Sequence, residues 1–405
     1  MKAKIWKLIG LLSIVIFMLS TAASAHAASL TTTIATHVTP VGVVYDPAMN
    51  EIFVSNYDSG DIQVISDSTN TQVADITALT QYAGTPFDLA YDSVKGEIWV
   101  ADATGAYAIS DVTNQVVANV TATPGFEGAA FDPKTGEVFM SYNGVGTVIS
   151  DSTNTIITTI TQSVASMVDD SAKSEIFALQ YTGGEGSSSI YVISANTNAV
   201  TNTISITGSP DGPLAYDSGK GEIFVATSNF VSTTGSTNYN IQVISDSTNK
   251  VVATINLPTS ANLGAMAYNP NKGEIYMNSG ASVTIISDKT NSVVGTVNTN
   301  GYASSSNGIA YDSGTSTVYA INNPGSTSGS MGSLAVISDP SSGTSTSSPT
   351  STVTSSTSTS TSTGSTPTPK VPEFSNAALI SVAAAIAAVT LCTVALTART
   401  KKTPR

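Results

Sequence analysis

Few side chains here can act as base, nucleophile or soft metal ligand. The chain has two histidines and one cysteine: His26 sits in an apolar leader, His37 just beyond it, and Cys392 in a second apolar run near the C-terminus. Ser-His-Asp and Cys-His catalysis therefore lack a base or a nucleophile unless His37 is central. Histidine-rich zinc or copper sites are excluded for the same reason. Carboxylate is plentiful, with 28 Asp plus Glu against 15 Lys plus Arg and a net charge of −13. Calcium is the one metal left open, although no acidic stretch has EF-hand spacing, and no other cofactor is expected. A body this acidic repels phosphate backbones, so nucleic acid is excluded as a partner.

The carboxylates recur in register. Tyr45 and Asp46 are followed by Glu51, Ile52 and Phe53, and Tyr91 and Asp92 by Glu97, Ile98 and Trp99. The series continues through Glu137, Glu175, Glu222 and Glu274, with Thr317 in the last copy. Paired carboxylates could serve acid–base chemistry. Each Glu, however, opens a strand in a different copy, which reads as a solvated or turn-bonded position. The aromatic series Phe53, Trp99, Phe139, Phe177, Phe224, Tyr276 and Tyr319 reads as packing between sheets, not as a carbohydrate platform.

A second landmark, Ile-Ser-Asp-x-Thr-Asn, stands at 65–70, 109–114, 149–154, 193–198 (with Ala195 for Asp), 244–249 and 286–291, and is cut short at 337–340. Short polar side chains bond neighbouring amides and tolerate left-handed backbone, so these Asp residues read as turn formers.

The elements behind both landmarks are visible in residues 43–76, which read as strands at 43–45, 51–55, 62–66 and 72–76. Four strands repeated seven times predict an all-β, seven-bladed β-propeller at 29–340. The last copy lacks a fourth strand, whereas residues 31–38 precede the first and resemble fourth strands such as 251–257. The N-terminal strand is therefore expected to close the last blade and remove open edges. Segments 52–76 and 223–255 resemble the YVTN family of β-propeller repeats, which is similar to archaeal surface-layer and cell-surface proteins and has lactonase and lyase relatives. Ser before Asp in the third-strand motif, Asp169 at an aromatic position and Thr317 for Glu depart from that pattern.

Outside the repeats, residues 1–28 read as a signal peptide: Lys2, Lys4 and Lys7, an apolar run, then small residues at the cleavage site. Residues 341–370 form a Ser/Thr-rich disordered stalk. Residues 371–376 resemble a PEF-type sorting motif. Residues 377–396 are apolar and long enough for a transmembrane helix, and 397–405 are a basic cytoplasmic tail. These place the body at the extracellular face of the membrane, held by the C-terminal helix unless that is cleaved. Asn119 begins an N-glycosylation sequon.

Extended second-to-third loops are expected at 181–189, 229–240 and 323–333, and a long connection at 77–86, all on one face. Second strands end on that side at Asn56, Asp102, Tyr142, Gln180, Thr227, Ser279 and Asn322, the candidate ligand-binding set around a channel mouth, with turn capping as the plainer reading. No catalytic residue is assigned. The expected function is binding, adhesion or a surface-layer role toward an extracellular protein or glycan. The alternative is an extracellular lactonase- or lyase-like enzyme using channel carboxylates.

Overall fold

The computed structural model describes residues 28–340 except 78–83, 123–124, 143, 181–188, 211, 259–262, 302–307 and 324–329. The signal peptide up to residue 27, the stalk, the sorting motif, the C-terminal apolar run and the basic tail lie outside the described residues. The chain divides into two units, Met1–Thr344 and Ser345–Arg405, and every described residue belongs to the first. Among the described residues no helix is long and apolar enough to cross a membrane.

Strand β1 (Ser29–Val38) leads into an antiparallel meander of β2 (Pro40–Asp46), β3 (Glu51–Asn56), β4 (Asp61–Ser66) and β5 (Thr71–Ile76). A second follows as β6 (Pro86–Asp92), β7 (Glu97–Asp102), β8 (Gly105–Ser110) and β9 (Gln115–Thr121). Next come β10 (Gly128–Asp132), β11 (Glu137–Tyr142), β12 (Gly144–Ser150), β13 (Thr155–Asp170), β14 (Glu175–Gln180), β15 (Ser189–Ser194) and β16 (Ala199–Ser205) in one continuous sheet. The 16-residue β13 makes it continuous, pairing with β12 through its first part and with β14 through its last.

Further on, β17 (Ser209–Pro210) and β18 (Ala215–Asp217) both pair with β19 (Glu222–Val231), which continues to β20 (Ser236–Ser245) and β21 (Lys250–Asn256). Another meander is β22 (Met266–Asn269), β23 (Glu274–Ser279), β24 (Ser282–Ser287) and β25 (Ser292–Asn298). The last is β26 (Ile309–Asp312), β27 (Thr317–Asn322) and β28 (Met331–Ser338), and it takes β1 as its outer strand. Ile34 pairs with Leu334 and Ser29 with Ser338, and Thr31 Oγ1 donates to the Val336 carbonyl at 2.9 Å.

The turns follow the chemistry expected of them. Asp46 Oδ1 accepts the Ala48 and Met49 N–H groups at 2.8 and 3.3 Å, and Asp92, Asp217 and Asp312 do the same for their own turns. Asn70, Asn114, Asn154, Asn198, Asn249 and Asn291 end the second turn type at φ between 48° and 54°, the left-handed region that Asn tolerates.

Apolar packing joins each sheet to the next. The inner strands touch in the cyclic order β2, β6, β10, β13, β18, β22, β26 and back to β2. Six of the seven apolar clusters join two consecutive sheets and one lies within the long β10–β16 sheet; each contains one member of the aromatic series, and Phe53, Trp99, Phe139, Phe177, Phe224, Tyr276 and Tyr319 are all fully buried. Burial of each such ring stabilises by roughly 2–3 kcal/mol.

One expected loop is a hairpin instead. Residues 229–240 extend the β19–β20 ladder as far as Val231 opposite Ser236. Alternating β-formers continue the strands, and Gly235 at φ +66° lets the chain reverse at the tip. Residues 181–188 and 324–329 of the other loops lie outside the described residues.

Candidate functional site

The starts of the inner strands enclose a cavity of 740 Å³, reached from the side of the second-to-third turns and the inter-sheet connections. The fourth residue before each turn Asp or Asn lines it in every copy: Gly42, Asp88, Gly128, Ser166, Pro213, Ala265 and Gly308. Six of these carry no long side chain, and at Gly42 and Gly308 the neighbouring backbones come close. A Cβ at Gly42 would stand 2.5 Å from the Phe87 carbonyl oxygen, and one at Gly308 would stand 2.9 Å from the Val43 nitrogen. Hydrogen bonds fix the wall: Gly308 N–H donates to the Val41 carbonyl at 2.7 Å, and Ser55 Oγ donates to the Phe87 carbonyl.

Asp88 is the exception among the small residues. Its Oδ1 accepts the Leu89 N–H at 2.9 Å, and its Oδ2 accepts the Ala129 N–H at 3.1 Å. The channel wall strips water from the carboxyl and raises it to about 6, against the lowering effect of those two amides. Glu127 stands exposed at the rim with its carboxyl raised by partial desolvation. The remaining lining is mainly apolar, with Val41, Phe87, Leu89, Met167, Leu214 and Ile309 among it, and hydroxyls come from Tyr57, Tyr142, Ser141 and Ser166. Among the described lining residues only Asp88 and Glu127 bear carboxylates. The arrangement can hold a partly apolar group and offer it one tunable carboxyl as a hydrogen-bond partner.

Tyr142 alone of the candidate binding set lines this cavity. Asn56, Asp102, Thr227 and Asn322 are buried and bond nearby loop residues, while Asn56 Oδ1, Asp102 Oδ2 and Asn322 Oδ1 find no partner within the protein. Asn56 Nδ2 donates to Asp61 at 2.8 Å, Asp102 Oδ1 accepts the Thr104 amide and hydroxyl, Thr227 Oγ1 donates to Asn240, and Asn322 Nδ2 donates to the Thr299 carbonyl. Gln180 and Ser279 are half-buried at strand ends. Asn119 is exposed on the outer strand β9, as a glycan acceptor must be. Asp88 was missed because its strand reads as one copy among others. Its signal was the copy-to-copy comparison itself, one acid where the other strands carry Gly, Ser, Pro or Ala.

The recurrent glutamates, expected at solvated or turn-bonded positions, are only partly exposed. Glu51, Glu97, Glu137, Glu175 and Glu222 are half-buried, and one oxygen of each finds no hydrogen-bond partner within the protein. Burial raises all five carboxyls. They lie at the opposite end of the strands from the cavity, each opening a different strand.

No family model matches the sequence, and no curated protein matches it. Among solved structures, Kuenenia stuttgartiensis hydrazine synthase is similar with a TM-score of 0.61 at 13% identity, covering 75% of this chain and 97% of that one. U3-55K is similar with a TM-score of 0.59 at 11% identity, covering 75% and 98%. At such identities the likeness speaks to the fold alone, an all-β, propeller-like arrangement of antiparallel sheets.

Proposed function

We propose that this chain is an exported, seven-bladed β-propeller that binds an extracellular protein or glycan at the cell surface, in an adhesive or surface-layer role. The observation that carries the reading is the cavity on the face of the variable connections. Its apolar wall, hydroxyl groups and single deep carboxyl resemble a recognition site more than a catalytic one. The β19–β20 hairpin also projects from this face and ends near Phe230, an aromatic 66% exposed. A rigid scaffold bearing an exposed aromatic and a pocket is the usual arrangement for recognition.

In this reading residues 1–28 direct export, β1 closes the seventh blade, residues 341–370 form the stalk, and residues 377–396 anchor the chain unless processing at the PEF-type motif removes them. The acidic body turns away nucleic acid, and Asn119 is available for glycosylation. A lactonase- or lyase-like activity is the second reading, favoured by the raised carboxyl of Asp88.

The test is a glycan and peptide array probed with the full chain, followed by Tyr142→Ala, Asp88→Asn and Phe230→Ser. Binding should fall at least about tenfold in one or more of these variants. A ligand held equally well by all three would overturn the assignment of this face. Turnover of lactones abolished by Asp88→Asn would establish the second reading in its place.

A further inference from the structure

Three residues that depart from the repeat meet at one point. His37 lies near the end of β1, Asp61 opens β4, and Asp75 is next to last in β5. His37 Nδ1 is 3.0 Å from both carboxylate oxygens of Asp61 and 4.0 Å from Asp75 Oδ1. One ligand atom from each residue falls within 4.8 Å of the other two. Zinc–ligand bonds of ~2.0–2.1 Å set tetrahedral ligand atoms about 3.3 Å apart, so the 3.0 and 4.0 Å separations from His37 bracket that spacing and side-chain rotation closes the rest.

The repeat does not need these residues. Opposite the residue three before the Ser that ends each third strand, where Asp75 faces Gln63, other copies place Asn119, Thr159, Thr203, Thr254 and Thr296. Opposite the sixth residue of the second strand, where Asp61 faces Asn56, other copies place Gly105, Val145, Asn240, Ser282 and Ser333. His37 is the one histidine among the described residues. Asn56 Nδ2 holds Asp61 Oδ1 at 2.8 Å, the kind of outer hydrogen bond that aims a ligand carboxylate.

We propose that His37, Asp61 and Asp75 form a divalent metal site of the zinc class, with water completing the coordination. One imidazole and two carboxylates suit a borderline ion, whereas calcium prefers an all-oxygen shell. The ion ties β1, the outer strand of the last sheet, to β4 and β5 of the first. Its role is to fasten the two ends of the repeat array together.

The experiment uses the full chain, stripped by a chelator and titrated with Zn²⁺ in a calorimeter, with melting followed in parallel. One Zn²⁺ should bind per chain and raise the melting temperature, and Co²⁺ should give the visible absorption of a tetrahedral site. Asp75→Thr, the residue most other sheets use, should melt as the parent does without metal and bind Zn²⁺ at least about tenfold more weakly. His37→Gln should behave likewise toward Zn²⁺. Absence of stoichiometric binding, or unchanged binding in both variants, would overturn the proposal. Stabilisation by Ca²⁺ and not by Zn²⁺ would overturn the metal class.

Discussion

Lys173 Nζ lies 2.9 Å from Asp246 Oδ1, across the boundary between one meander and the next. The lysine stands three residues after turn Asp170, and the aspartate belongs to the Ile-Ser-Asp turn of the following meander. Lys272 reaches Asp339 in the same way at 2.5 Å, Lys220 comes within 4.0 Å of Asp288, and Lys95 donates to the Asp151 carbonyl. Thr135 takes the lysine position where the following turn has Ala195, so cation and anion are lost together. Met49 and Thr315 break the rule: Asp111 and Asp67 remain, facing Asp46 and Asp312, and burial with that second carboxylate raises both.

Met49→Lys should therefore stabilise the protein at neutral pH, by about 0.5–1 kcal/mol for a partly exposed pair. Lys173→Met should cost a similar amount. Urea midpoints at pH 7 measure both, and a destabilised Met49→Lys would contradict the pairing rule.

Stability should rise on mild acidification. Asp88 is raised to about 6, chiefly by desolvation, and Asp169 to about 8, by desolvation and then the charges of Asp132 and Asp170. For a carboxyl raised on folding, the folded state binds the proton more tightly, so its contribution is complete below the unfolded value and is lost as pH climbs through the folded one. The window thus runs from about 4 to about 8. Denaturation at pH 5 and pH 8 should show the difference, and Asp88→Asn with Asp169→Asn should flatten it by on the order of 1 kcal/mol after solvent screening. A parent protein more stable at pH 8 than at pH 5 would refute this.

Trp99→Ala should cost about 3–5 kcal/mol, because the ring is fully buried between two sheets. Phe230→Ser, at an exposed tip, should leave the melting temperature nearly unchanged. Equal losses in the two variants would count against the packing role of the aromatic series.

Deleting residues 31–38 should abolish the cooperative thermal transition or cause association, because β28 then presents an unpaired edge. A truncated chain that stays monomeric with an unchanged transition would show that β1 is dispensable.

The fold was legible because repetition averages out local ambiguity. Seven copies expose which Asp and Asn residues serve turns, and the φ values of Asn70 and its counterparts agree. The pairing of β1 with β28 was legible from a missing strand at one end and a surplus strand at the other. The cavity was less so. Polar residues at second-strand ends look equally available in the sequence, yet Asn56, Asp102 and Thr227 are buried and each bonds its own turn, a matter of three-dimensional hydrogen bonding. The hairpin at 229–240 was hidden because Ser, Thr and Asn serve a solvent-exposed ladder as readily as a loop.

The seam between Thr31 and Val336 spans 305 residues of sequence, and this bears on the order of folding. β1 is synthesised first but gains its partner only after nearly every other strand has been made. Closing so long a segment adds little thermodynamic penalty, about 0.6 kcal/mol per doubling of length, but contacts this distant slow folding. During that delay β1 and the unpaired edge of β28 are both open to another chain in the same condition. Exchange of β1 between neighbours would then link molecules through the contacts meant to complete one, so chains folding at high concentration should yield interlinked species that dilute folding avoids.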